Sequence, residues 1–187
     1  MSAKGLGSSR SPFSVPGTRQ ASEFDLIARL KAVLDAAAAG GRHTPPSPII
    51  GIGDDAAAVR RGRLVELYTT DTLVDGTHFR TGQIPWFDLG WKAMAVNQSD
   101  IAAMGGQPLY ALVTLGLPHS FNDDDIVEMY RGLAEACNRF GGRVAGGDIV
   151  RCPVLFVSIA LTGSAGVAAT GAAVARSRAK GAPKRQP

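Results

Sequence analysis

The stretch Trp86–Gly106 places Leu89, Ala93, Val96 and Met104 on one stripe, at spacings of four, three and eight, which predicts an amphipathic helix. Asp100 falls on the same stripe, four residues after Val96. A carboxylate facing a core is costly to bury unless something pairs with it. Helix capping cannot account for a carboxylate in mid-helix. Any fold for this chain therefore has to supply Asp100 with a partner, and Asn97, one turn earlier, borders the same face.

Five other aspartates share an unusual placement. Asp54 and Asp55 follow Gly53, Asp71 follows "LYTT", Asp75 lies in "VDGTHF", and Asp148 follows Gly146 and Gly147. All sit at expected strand ends or glycine turns, with few basic residues between them. Like charges brought close together cannot all stay ionised without a counter-cation. Oxygen ligands, with no cysteine pair and few histidines, favour a hard cation such as Mg²⁺ over zinc. Thr69 and Thr70 add hydroxyl or carbonyl oxygens to the same set. Mg²⁺ held by carboxylates keeps positions open for phosphate oxygens, and the turns "GIGDD" and "AGGD" let backbone N–H groups approach such oxygens. Phosphoryl transfer, or another reaction that uses ATP, is the expectation. No GxxxxGK[ST] or GxGxxG pattern is present. Structural readings stand beside this one. Asp in a Gly-Asp-Asp turn also serves the turn itself, Asp75 can be an Asp-Gly turn, and His78 can be a partly buried hydrogen-bonding histidine. Asp123, Asp124 and Asp125 are explained by the macrodipole at a helix N-terminus, and Tyr130 by the core.

Helical periodicity also marks Leu26, Ile27, Leu30, Val33 and Leu34, opened by a capping box of Ser22 and Asp25 and stopped by Gly40 and Gly41. Another helix, capped by Asn122 and running to about Phe140, carries Ile126, Met129, Leu133, Cys137 and Phe140 on its stripe. Between the helices, "IIGIGDD" reads as a short strand entering a turn and "RLVELYTTD" as a second strand. "YALVTLGLP" reads as a buried strand, "RVAGGD" as a short strand with a glycine turn, and "VLFVSIALTGS" as the last strand. The order α, β, β, α, β, α, β, β predicts an α+β fold: a mostly antiparallel or mixed sheet with helices on one face.

Composition narrows the function classes. The formal charge of +4 over 187 residues is misleading. Lys4, Arg10 and Arg19 lie in the first 20 residues, and Arg176, Arg178, Lys180, Lys184 and Arg185 lie after Gly163, with no acid in either stretch. Setting these eight aside leaves 12 basic residues against 16 acidic ones, about −4 for the folded part. No basic patch interleaved with aromatics is present, so nucleic acid is not expected as a partner. The apolar runs are too short to span a bilayer and no signal peptide is visible, so no membrane partner is expected. Cys137 and Cys152 form no disulfide framework, which fits a cytoplasmic location. Residues 1–21, rich in Ser, Gly, Pro and Arg, are expected to be a disordered extension. From Ala165 to Pro187 the chain is Ala-, Gly- and Arg-rich without a period, and is expected to be a disordered or frameshifted tail.

The segments "GIGDDAAAV", "TTDTLVDGTHF", "GWKAMAVNQSDIAAMGGQPLYALVTLGLP" and "GGRVAGGDIVR" resemble the N-terminal domain of bacterial thiamine-monophosphate kinase, in the aminoimidazole ribonucleotide synthetase-like superfamily. The resemblance runs in unbroken order from about Ser22 to Ser164. It implies a Mg-ATP-binding kinase domain over residues 22–164 that phosphorylates thiamine monophosphate to thiamine diphosphate, with ATP as co-substrate and several Mg²⁺ ions. By resemblance, Asp55 matches a metal-binding aspartate of the Gly-Asp-Asp motif, and Thr69, Thr70 and Asp71 match a metal-binding triplet. Asp100 matches a helical aspartate that bridges metal ions, which would answer for its place on the stripe. Gly147 and Asp148 match a nucleotide- and metal-binding "GGD", and His78 matches a substrate contact. No residue is assigned as a general base, because in this chemistry the protein positions groups and neutralises charge. Arg151 is a further candidate for a phosphate contact. The resemblance also implies a homodimer whose sheets form a barrel. Sister families leave another ATP-using enzyme as an alternative. Such kinases carry a second domain, only faintly echoed here by "RSRAKGAPKRQP". A non-catalytic fragment that binds Mg²⁺ and nucleotide, or that dimerises, is therefore the other alternative, and impaired activity is expected.

Overall fold

The computed structural model describes residues 22–39 and 45–166. The chain divides into two units, Met1–Arg42 and His43–Pro187. The first contains α1 (Glu23–Ala39). Its capping box is realised: Ser22 Oγ donates to Asp25 Oδ2 (2.8 Å), while the backbone N–H of Asp25 donates to Ser22 Oγ (3.2 Å). Leu26, Leu30, Val33 and Leu34 are exposed. The glycines expected to stop the helix, and the two terminal segments expected to be extension and tail, lie outside the described residues.

The second unit holds β1 (Ala57–Arg61), β2 (Leu64–Val74), α2 (Trp86–Ala103), β3 (Gln107–Leu117), α3 (Asp123–Phe140), β4 (Arg143–Arg151) and β5 (Phe156–Gly166). The strands form one sheet in the order β1-β2-β5-β3-β4, antiparallel except for the β3–β4 pair. The α+β class and the element order agree with the sequence reading. α2 lies over β2, β5 and β3, and α3 packs along α2 and reaches β4. Strand residues on that side, among them Val65, Leu67, Val113, Leu115, Ile159 and Leu161, are buried against Leu89, Met94 and Ile101 of α2. Burying each such side chain contributes roughly 1.5–3 kcal/mol before entropy is counted.

The two helices touch where side chains are absent. A Cβ on Gly90 would stand 1.8 Å from the carbonyl oxygen of Met129, and a Cβ on Gly132 would stand 1.9 Å from that of Phe87. Each helix thus seats its backbone against a glycine of the other. Asn122 caps α3 by accepting the N–H of Asp124 (3.1 Å), with Asp123–Asp125 in the first turn as the macrodipole favours. At the far end Gln98 of α2 donates through Nε2 to the carbonyls of Ala136 and Gly141, at 3.1 and 2.8 Å. These bonds tie α2 to the C-terminal end of α3.

Four local readings need correction. The first strand is not Ile49–Ile52 but Ala57–Arg61, on the far side of the Gly-Asp-Asp turn. Ile50 makes only an isolated bridge with Ala58, because Pro48 has no N–H and the run is cut by Gly51 and Gly53. β3 is buried on one face only: Leu109, Tyr110 and Leu112 are exposed, since α2 and α3 both pack on the opposite side of the sheet. "GGD" is no turn, because β4 runs straight through Gly146, Gly147 and Asp148. On α2, the buried side is formed by Leu89, Ala93, Met94, Asn97, Gln98 and Ile101. Val96 and Asp100 lie at its margin, only half-buried.

Candidate metal centre

β1 pairs with β2 only from Leu64 to Tyr68. Beyond that point, among the described residues, no strand pairs with β2 on the β1 side, and side chains of α2 engage it instead. Asn97 is fully buried; its Oδ1 accepts the backbone N–H of Asp71 (3.1 Å) and its Nδ2 donates to the carbonyl of Ala93 (3.0 Å). Thr69 Oγ1 donates to Asp100 Oδ2 (2.8 Å) and also lies 3.2 Å from the main-chain oxygen of Asp55. Strand alternation puts Thr69 and Asp71 on the helix-covered face. Asp55, Thr69, Asp71 and Asp100 are thereby gathered where the Gly-Asp-Asp turn, β2 and α2 meet.

The electrostatics answer the question that Asp100 raised. Burial holds its carboxyl above the usual carboxylate range. The hydrogen bond from Thr69 opposes that shift, and the charges of Asp71 and Asp55 add to it. No cationic side chain is among the groups acting on it. Among the described residues, no three His, Cys, Asp or Glu side chains converge closely enough to hold one ion together. The donors available are carboxylate, hydroxyl and carbonyl oxygens. That set fits a hard divalent cation such as Mg²⁺.

Asn97 is the residue whose role sequence reasoning missed. Its position beside the stripe was visible, but its partner is a strand 26 residues upstream. Replacing Asn97 with alanine leaves the Asp71 N–H unpaired in a buried setting, an expected loss of about 1–3 kcal/mol. Chemical denaturation measures it, and a change within about 0.3 kcal/mol would show that solvent reaches this N–H.

The other candidates stand apart from this cluster. Thr70 faces the uncovered side of the sheet and is exposed. In register, Thr72, Ser158, Thr114 and Asp148 stand opposite one another across β2, β5, β3 and β4, which places Asp148 on that same uncovered face at the β4 edge. Gly147 has a packing reason of its own, since a Cβ there would fall 1.8 Å from the carbonyl oxygen of Val113. Asp54 Oδ1 accepts the N–H of Asp55 (3.0 Å). Asp75 organises the loop after β2: Oδ1 accepts the N–H groups of Gly76 and Thr81, both at 2.9 Å, and Oδ2 accepts the Thr81 hydroxyl (2.8 Å). Those bonds to Thr81, chiefly the backbone one, hold its carboxyl below the usual range. His78 is exposed on this loop while Phe79 beside it is buried. Arg151 lies over the Phe121 ring (4.8 Å) and donates to the carbonyl of Pro118 (3.3 Å). His119 is an exposed loop residue, and His43 lies outside the described residues.

Residues 53–165 match the family model of AIR synthase related protein, N-terminal domain. The chain belongs to the AIR synthase related family. Within this family the chain is 41% identical over 112 residues to a thiamine-monophosphate kinase of Rhodopirellula baltica, covering 56% of this chain and 35% of that one. It is 35% identical over 148 residues to a thiamine-monophosphate kinase of Mycobacterium tuberculosis, covering 79% and 42%. Among solved structures, AaThiL complexed with AMPPCP and TMP superposes with a TM-score of 0.66 at 35% identity, covering 77% of this chain and 42% of that one. This AIR synthase related chain thus spans about two fifths of the length of those relatives.

Proposed function

We propose that this chain carries the metal- and nucleotide-binding half of an enzyme that phosphorylates thiamine monophosphate to thiamine diphosphate with ATP. The observation that carries the reading is the group Asp55, Thr69, Asp71 and Asp100, an all-oxygen donor set in which Asp100 is desolvated without a cationic partner. Likeness to thiamine-monophosphate kinases, and to AaThiL complexed with AMPPCP and TMP, supplies the substrates. Asp55, Asp71 and Asp100 would hold Mg²⁺, which supplies charge neutralisation for the phosphates when bound. The Thr69 hydroxyl and the main-chain oxygens of the Thr69–Thr70 segment complete the donor set. Gly147 and Asp148 serve the nucleotide and a further metal ion from β4, and His78 meets the substrate. The chain's own contribution is positioning, and no general base is assigned.

The test is calorimetric titration of ATP with and without Mg²⁺, followed by an assay for thiamine diphosphate. Nucleotide binding that persists unchanged in excess chelator would sink the metal assignment. Binding without turnover favours the second reading, a Mg-nucleotide-binding fragment; the observation behind that reading is the two-fifths coverage of the relatives. Another ATP-using activity of the family would appear as ATP consumption without thiamine diphosphate.

A homodimer is part of the proposal. The face of the sheet away from α2 exposes Tyr68, Tyr110 and Leu112 around one hollow. A contiguous apolar patch of this kind marks an association surface. A second copy laid on it also shields strand edges. A mass of one chain by sedimentation equilibrium at micromolar concentration would overturn it. Both cysteines, Cys137 and Cys152, are free thiols, which supports a reducing, cytoplasmic location. No described helix is long and apolar enough to cross a membrane.

A further inference from the structure

The loop after β2 holds its histidine in one chemical form. The backbone N–H of Val74 donates to Nδ1 of His78 (3.1 Å). A backbone N–H can only donate, so Nδ1 must be the unprotonated nitrogen. In the neutral ring the proton therefore sits on Nε2. The arrangement is reinforced from several sides. The N–H of His78 returns a bond to the carbonyl of Val74 (2.9 Å), and Gly76 donates to the carbonyl of Phe79 (2.8 Å). Asp75 ties the two ends of the loop together through Thr81. Lys92 of α2 donates to the main-chain oxygen of His78 (3.1 Å). Phe79 is 8% exposed and anchors the loop in the core, while the neighbouring His78 is exposed. Among the described residues, Nε2 has no hydrogen-bond partner.

We propose that His78 is locked as the Nε2–H tautomer by Val74 and presents that N–H as a fixed donor to an acceptor atom of the substrate, a phosphate oxygen or an unprotonated ring nitrogen. This rests on the reading that His78 faces the substrate, but the tautomer itself does not. A rotatable hydroxyl or amide could present either a donor or an acceptor. A ring whose other nitrogen is occupied offers only a donor, and it loses little freedom when it binds.

Two measurements separate the parts. Long-range ¹H–¹⁵N correlation on the histidine-labelled chain, at about pH 8.5 where free imidazole is neutral, reads the tautomer without ligand; the His78 signals are those lost in His78→Asn. An Nε2–H pattern is expected. An Nδ1–H pattern, or an even mixture, overturns the proposal. Calorimetric affinity for thiamine monophosphate in the presence of Mg²⁺ then reads the donor. His78→Asn keeps an acceptor for Val74 but has no group at the Nε2 position, and binding is expected to weaken about 10-fold or more. His78→Gln places an N–H at that position, and binding is expected to stay within about 3-fold. Equal losses in both variants overturn the donor role. No loss in either, or no binding by the unmodified chain, removes His78 from the substrate and so overturns the reading beneath the proposal, whatever the tautomer. Thiamine, which lacks the phosphate, identifies the acceptor. A His78→Asn effect that persists with thiamine assigns the ring nitrogen, and one that vanishes assigns the phosphate.

Discussion

Asp100→Asn is expected to raise the melting temperature of the metal-free chain and to abolish its stabilisation by Mg²⁺ and nucleotide. Asparagine keeps an oxygen to accept the Thr69 hydroxyl, so the hydrogen bond at 2.8 Å has a replacement. It removes a charge that is desolvated and faces Asp71 and Asp55. The sign follows from the direction of the shift. Folding raises the Asp100 carboxyl above its ordinary value of 3.8, so the ionised form opposes folding. That penalty is absent below the ordinary value and grows as pH rises through the folded one. At neutral pH the variant is therefore the more stable metal-free protein, and the two melting curves converge as pH falls below about 4. With metal the order reverses. A ligand at one hundred times its dissociation constant stabilises by about 2.7 kcal/mol, or about 5–10 °C for a chain of this size. The unmodified chain should show this shift and Asp100→Asn should not. Scanning calorimetry with and without Mg²⁺ and a non-hydrolysable ATP analogue decides it. An intact shift in the variant rejects Asp100 as a metal ligand, and a lower metal-free melting temperature would mean that the carboxylate is structural.

Gly132→Ala should be among the most damaging single-methyl substitutions in the sheet-and-helix unit. The added Cβ would meet the Phe87 carbonyl oxygen at 1.9 Å, with the Trp91 nitrogen at 2.8 Å. These are backbone atoms inside α2 and cannot swing aside, so the helices must separate. Separation loosens Met129 and Leu133 of α3 and Leu89 and Met94 of α2, all essentially unexposed. An overpacking loss of about 3 kcal/mol, or about 6–12 °C, is expected. Gly90→Ala attacks the same contact from the other helix, against Met129. Because one separation relieves both clashes, the double substitution should lose clearly less than the sum of the two single ones. Gly146→Ala is the control, since its Cβ would meet nothing nearer than a Leu112 methyl at 3.7 Å. Urea denaturation of the four variants reads all of this. A mild effect at Gly132, equal to that at Gly146, would contradict the close helix crossing.

The capping box of Ser22 and Asp25, the Asn122 cap and the three helices were legible in the sequence because each depends on residues within one or two turns of one another. The order of elements followed, and with it the α+β class. The resemblance of the aspartate motifs pointed to the family for a similar reason, since each motif is contiguous. Pairing between distant segments was not legible. That the first strand begins after the Gly-Asp-Asp turn depends on Ala58 meeting Leu67 of β2, and that "GGD" lies inside a strand depends on Gly147 closing on Val113. Thr69 and Thr70 are neighbours in sequence, yet strand alternation sends one hydroxyl to Asp100 and the other to the uncovered face. Asp75 and Asp71 are equally plausible ligands by spacing. Only the loop bonds to Thr81 make one a turn organiser, and only Asn97 ties the other to the helix that bears Asp100. The sequence by itself determined which residues bear charge and which segments are helical, because those are local properties. The tertiary structure alone decided which carboxylates share a volume, because convergence depends on register and helix packing across dozens of residues.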